Sequence, residues 1–211
     1  MTVRSLAFTA VIAAIAACSN LPRSRDLANP EVSGRVLAEQ VCSNCHGRTG
    51  TATSPNFPNL AAQQKRYLIT QLEAFRAHSR RDPAGYEYMW GVSRSLTDAQ
   101  IDALADYYRA QDPPRQPAES PPALVEAGRV LFEHGDTAKG VPACSSCHGA
   151  NGAGSDAFPR IAGQHADYVR KQLEVFQRTD ERPEGAIMKT VAHALSPDDI
   201  DAAAAFVQTL E

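Results

Sequence analysis

Two pentapeptides in this chain carry the same chemistry: Cys42-Ser43-Asn44-Cys45-His46 and, 102 residues later, Cys144-Ser145-Ser146-Cys147-His148. Thiols separated by two residues are spaced to add to the two vinyl groups of one porphyrin. A histidine directly after the second thiol then presents an imidazole nitrogen to the iron. A structural zinc site needs four ligands, whereas each motif offers three and no third cysteine follows in either half. A thioredoxin-like redox pair would sit among alternating strands and helices, a pattern this sequence lacks. The expectation is two covalently attached haem c groups, bound through Cys42, Cys45 and His46 and through Cys144, Cys147 and His148.

The sixth iron ligand decides what such a centre does. Beyond Met1 only two methionines exist, Met89 and Met188, 43 and 40 residues after their histidines. A methionine is usually core filling, but two in matching register, each shortly before a final helix, are the expected axial partners. A thioether is a soft donor that favours ferrous iron, so His/Met ligation raises the potential. It also closes the coordination sphere to oxygen and peroxide. The competing histidines are His78, His134, His165 and His193; each stands opposite a residue other than histidine in the other half, or in an inserted segment. They are expected to be surface or propionate-neighbouring residues.

A ligating imidazole normally donates its other N–H to a carbonyl. Pro58 and Pro159, 12 and 11 residues after His46 and His148, stand where such a carbonyl could lie; on spacing alone they could equally be ordinary loop prolines. Arg81 and Arg182 precede the methionines at corresponding places and could neutralise propionates or simply be solvated.

The elements that must position these groups form an internal repeat. Gly34-Arg35-Val36-Leu37 returns as Gly128-Arg129-Val130-Leu131, and Phe57-Pro58-Asn59-Leu60 as Phe158-Pro159-Arg160-Ile161. Gln63, Tyr67, Gln71-Leu72 and Phe75 match Gln164, Tyr168, Gln172-Leu173 and Phe176. The second half has about eight extra residues before its motif, between Glu133 and Val141. Each half reads as all-α. A short helix runs into the motif, carrying Val32, Val36 and Leu37, or Leu124, Val130 and Leu131. A middle helix spans about Lys65–Ala77, or His165–Arg178. A last helix opens on the capping box Thr97/Gln100, or on Ser196 followed by Pro197. Five prolines between Asp112 and Pro122 make that stretch a stiff, extended connection. The expected organisation is residues 1–17 as a signal, 18–111 and 123–211 as two domains, and 112–122 as the linker.

The fifth cysteine, Cys18, ends an apolar run from Leu6 to Ala17 that follows Arg4. The run is too short to span a bilayer and has the shape of an export signal. Ile15-Ala16-Ala17-Cys18 resembles a lipobox, in which the cysteine is lipidated; cleavage near Ala17 without lipid is the alternative. Loss of residues 1–17 leaves 194 residues and moves the formal charge from -3 to -4. A mildly acidic chain without a basic run gives no case for nucleic acid. Two domains this small bury too little apolar surface alone, and a flat apolar cofactor can supply the missing core.

The array ACSSCHG, FPRIAGQHADYVRKQL and a methionine ahead of LSPDDIDAAAAFV is similar to cytochrome c4, a dihaem branch of the class I cytochromes c. The resemblance covers nearly the whole mature chain. It implies two class I domains with facing propionate edges, axial pairs His46/Met89 and His148/Met188, and Pro58 and Pro159 as acceptors for the histidines. It further implies a periplasmic electron carrier, often membrane-associated, between quinol-oxidising complexes and terminal oxidases. The membrane attachment would here be a lipidated Cys18. His78 and Thr179 stand where that family is expected to have glycine. Two other readings remain open: a dihaem peroxidase-like enzyme with one open iron, and a haem subunit of a larger dehydrogenase.

Overall fold

The computed structural model describes residues 27–83, 85–178 and 180–211. The expected signal, Cys18 and Thr179 lie outside the described residues. The first half runs α1 (Gly34–Leu37), a π-helical stretch Ala38–Cys42, α2 (Ser43–His46), α3 (Lys65–Arg76), a second π-helical stretch Gly85–Met89, α4 (Trp90–Ser93) and α5 (Asp98–Arg109). The second half runs α6 (Pro122–His134), α7 (Ser145–His148), α8 (Ala166–Arg178), a 3₁₀ turn Pro183–Gly185, α9 (Ala186–His193) and α10 (Pro197–Thr209). Extended pairing among the described residues is confined to two isolated bridges, Asp136 with Val141 and Ser155 with Phe158.

Local chemistry sets the helix ends. Thr97 and Gln100 form the expected capping box, and Ser196 and Asp199 form another with Pro197 in the first turn. Helix α3 ends in a Schellman turn: the His78 N–H reaches Phe75 O at 3.0 Å and the Ser79 N–H reaches Ala74 O at 3.0 Å. His78 therefore sits at φ 59, the left-handed conformation that glycine occupies most easily. This accounts for the glycine expected there.

In each half the first long element crosses the last at a glycine. A Cβ on Gly34 would lie 2.5 Å from the Ala103 Cβ, and one on Gly128 only 1.9 Å from the Ala202 carbonyl oxygen. The repeated Gly-Arg-Val-Leu therefore marks a backbone-to-backbone contact. Around it, Val32, Leu37, Leu68, Leu96, Ile101, Leu104 and Tyr108 form one core. Leu131, Val141, Leu173, Leu195, Ile200 and Ala203 form its counterpart, with Phe132, Phe206 and Val207 beside it. Val130 departs from expectation and is exposed. Gly128, Leu131 and Phe132 at helical spacing define the inward face of α6, which leaves Val130 on the other side.

The insertion also changes the route to the second motif. In the first half helical turns run unbroken from Gly34 into His46, whereas α6 stops at His134 with Gly135 at φ 69. A loop closed by the Asp136–Val141 bridge then leads to α7. Residues 112–121 form no helix, and the last proline of the stretch, Pro122, is the first residue of α6, where a missing N–H costs nothing. The segment lies against the second half. Gln208 Nε2 donates to Pro117 O at 2.8 Å, and Pro114 O approaches Gly163 so closely that a Cβ there would be 2.3 Å away.

Candidate haem sites and the interface between them

Both motif histidines are held alike. The His46 Nδ1–H donates to Pro58 O at 2.9 Å and the His148 Nδ1–H to Pro159 O at 3.0 Å. A carbonyl only accepts, so the proton is on Nδ1 and the lone pair on Nε2 is left for a metal. The rings are 7% and 8% exposed, and desolvation, opposed by the proline carbonyl, lowers both pKa values and keeps the imidazoles neutral. The four motif thiols are free. Burial pushes the Cys42 thiol up to about 11 against the lowering influence of the Tyr108 hydroxyl, and burial raises Cys144 too. Among the described residues no three His, Cys, Asp or Glu side chains converge on a common metal position. The donor set thus fits a porphyrin iron: His46 and His148 would hold the metal through Nε2, and the cysteine pairs would tether the ring.

Met89 closes the Gly85–Met89 stretch and is half-buried; its carbonyl accepts from Ser93 Oγ at 2.6 Å. Phe57 links its neighbourhood to the histidine side: its ring lies 6.2 Å from that of His46 and 6.4 Å from that of Tyr88. Met188 is half-buried in α9 against the second core. The other histidines are engaged elsewhere. His165 Nε2 meets Ala52 O at 3.0 Å, His193 Nδ1 meets Lys189 O at 2.8 Å, and His134 is exposed beside Glu133. His78 stacks on Trp90 at 4.9 Å and meets the Tyr86 ring at 5.4 Å in a tilted arrangement.

The halves are joined by a pair of reciprocal clamps. The Asn59 N–H donates to Gln164 Oε1 at 2.8 Å, and Gln164 Nε2 donates back to Asn59 O at 3.0 Å. The Arg160 N–H donates to Gln63 Oε1 at 2.7 Å, and Gln63 Nε2 donates to Arg160 O at 2.8 Å. Asn59 and Arg160 follow the two histidine-anchoring prolines, so each clamp holds the other half's anchor. Both glutamines recur in the repeat, but their role was invisible because it lies between the halves.

The arginines need correction. Arg182 is buried and has Arg80, not Arg81, as its counterpart. Arg80 pairs with Asp82 and Arg182 with Glu184, at 2.7 and 3.0 Å. Each guanidinium caps a phenylalanine, Phe75 or Phe176, and each reaches both Gln71 and Gln172. Arg182 is therefore neither solvated nor free for a propionate. Arg81 instead gives its backbone N–H to Glu181 O at 2.8 Å. Desolvation works against the charge of Arg80, but the nearby Tyr168 and Asp82 outweigh it and raise its pKa. One buried arginine lacks such company. Arg160 is 8% exposed, and its Nε and Nη2 have no partner among the described residues.

Comparison with known proteins agrees with this geometry. The family model for cytochrome c matches residues 32–111 and again 125–211. Cytochrome c-552 of Acidithiobacillus ferridurans is 46% identical over 136 residues, which are 64% of this chain and 59% of that protein, so the chain spans under two thirds of this relative. Cytochrome c4 of Azotobacter vinelandii is 39% identical over 179 residues, 81% of this chain and 84% of the relative. A thiosulfate dehydrogenase electron acceptor of Thiomonas intermedia (strain K12) is 35% identical over 64% of this chain and 62% of its own length. The solved structure of reduced recombinant cytochrome c4 from Pseudomonas stutzeri superposes with a TM-score of 0.75 at 36% identity, covering 87% of this chain and 100% of that one. Two matched domains, each with its attachment motif, carry two covalently bound haem c groups, and the chain belongs to the cytochrome c4 family of dihaem cytochromes c.

Proposed function

We propose that this chain is an exported electron carrier of a respiratory chain, with His46/Met89 and His148/Met188 as its axial pairs. The observation that carries the reading is the twofold recurrence of one arrangement. A histidine is anchored through Nδ1 on a proline carbonyl, and a single methionine stands in register on a later segment. Each haem supplies a one-electron Fe(III)/Fe(II) couple. The chain keeps His46 and His148 neutral and oriented on their proline carbonyls, and Met89 and Met188 would each supply a thioether to an iron. The glutamine clamps hold the two sites in a fixed relation, so exchange needs no rearrangement of the chain. With a histidine and a methionine on each iron, the centres would bind no small molecule and would leave electrons as the only traffic. Partners would be redox proteins, a quinol-oxidising complex upstream and a terminal oxidase downstream, meeting the carrier through small, transient interfaces. The location would be the periplasm, with lipid on Cys18 as the anchor.

Met89→Ala and Met188→Ala test this reading on the haem-loaded protein. Each should let carbon monoxide bind ferrous iron in the altered domain, remove half of the long-wavelength sulfur-to-iron absorption, and lower that haem's potential. If neither variant binds carbon monoxide, the axial assignment is wrong. Carbon monoxide binding by the unaltered protein would favour the peroxidase-like alternative. A second reading, the haem subunit of a larger dehydrogenase, is favoured by the likeness to a thiosulfate dehydrogenase electron acceptor. Co-purification of a catalytic subunit with the exported chain separates it from a free carrier.

A further inference from the structure

The geometry points to Arg160 as the buried cation that receives a haem propionate carboxylate where the two domains meet. Arg160 is more than nine-tenths buried, and its Nε and Nη2 find no acceptor among the described residues. A buried, unpaired guanidinium is strongly unfavourable, and natural proteins supply such a group with an anion. The other two arginines buried at this junction already have carboxylates, Asp82 and Glu184. Burial alone acts on Arg160 and pushes its pKa down, with no charged partner to offset it.

Its position selects the anion. Arg160 directly follows Pro159, whose carbonyl orients His148. Both polar groups of its own backbone are clamped by Gln63, so the side chain leaves from a fixed point beside the second haem site. The carboxylates that a haem c brings to such a place are its two propionates. The equivalent residue in the first half, Asn59, is neutral and spends its amide on the Ala52 N–H and Gly163 O, both at 2.8 Å. The charge is therefore present on one side only, and the two haems are not electrostatically equivalent. A cation held against a propionate offsets negative charge near the iron and favours the ferrous state.

The inference rests on the dihaem reading, and the test keeps the two apart. Potentials of both haems are measured by spectroelectrochemistry in the full-length holoprotein and in Arg160→Gln and Arg160→Lys. Loss of the charge in Arg160→Gln should lower the reduced-to-oxidised ratio of one haem roughly tenfold at fixed poise, equal to about 59 mV for one electron. A fall confined to the C-terminal haem identifies its own propionate as the partner; a fall confined to the N-terminal haem identifies the propionate reaching across the interface. Arg160→Lys, which keeps the charge, should retain most of the wild-type value. Unchanged potentials in Arg160→Gln, or an equal fall in both variants, would overturn the proposal. The backbone clamp with Gln63 survives either substitution, so a packing role alone predicts no such difference between glutamine and lysine. An error in the axial ligands would show differently, as a missing sulfur-to-iron band in the unaltered protein.

Discussion

Replacing Gln164 with alanine should uncouple the two domains, and the cost follows from the hydrogen bonds it removes. Gln164 satisfies both backbone groups of Asn59, a residue only 3% exposed. Without the amide, a buried N–H and a buried C=O lose their partners. Each orphaned group costs about 1–3 kcal/mol, so the sum is about 2–6 kcal/mol. Water entering the gap brings the expectation to the lower half of that range, about 3 kcal/mol. Gln63→Ala should cost a similar amount, because it strips the equivalent pair from Arg160. The double variant should cost less than the two single costs combined, with a coupling of about 1–2 kcal/mol, since an interface opened by one change has less left to lose. Urea unfolding of the holoprotein, followed by far-ultraviolet circular dichroism and by haem absorption, measures these values. Wild type should unfold in one transition and the double variant in two. Single costs below about 0.5 kcal/mol, with full additivity and one unchanged transition, would refute the view that these clamps hold the domains together.

Asp82→Asn leaves the Arg80 guanidinium without its buried carboxylate and should destabilise by about 3–5 kcal/mol near neutral pH. Burial would raise the Asp82 pKa, but Arg80 and then Arg182 hold it below its ordinary 3.8. A depressed carboxylate stabilises fully above the unfolded-state value and loses that contribution as pH falls through the folded one. The gap between wild type and Asp82→Asn in urea titrations should therefore be constant above pH 3.8 and close below it; a gap that persists in acid counts against the ion pair. Gly128→Ala drives a Cβ to 1.9 Å from Ala202 O and should cost at least about 1–3 kcal/mol by thermal unfolding, whereas Gly91→Ala, with nothing within 4 Å, should be nearly silent. Equal melting temperatures would show that α6 and α10 can part freely. Cys18→Ser should move the exported protein from the membrane to the soluble periplasmic fraction, and unchanged partition rules out a lipid anchor.

Much of the site was legible because covalent chemistry needs particular atoms at particular chain separations. Two thiols and an imidazole within five residues can be read without any fold. The helix starts at Thr97 and Ser196 were equally local, since a capping hydroxyl bonds a backbone three residues away. The repeat showed which residues matter twice, including Gly34 and Gly128, without saying why. The reason is a helix crossing that brings in Ala103 and Ala202 from far along the chain.

What only the tertiary structure decided lies between elements distant in sequence. Pro58 and Pro159 were equally readable as loop prolines until their carbonyls were found 2.9 and 3.0 Å from the histidines. Arg80 was passed over for Arg81 because aligning a repeat by residue type cannot tell which of two adjacent arginines turns inward. Arg182 and Gln63 had partners more than ninety residues away, whereas the Arg160 Nε and Nη2 had none among the described residues. Chain order determines which groups exist and how a single turn closes. Burial, and the pairing that burial demands of every polar group, is a property of the packed whole, and it alone separates a solvated arginine from one that needs an anion.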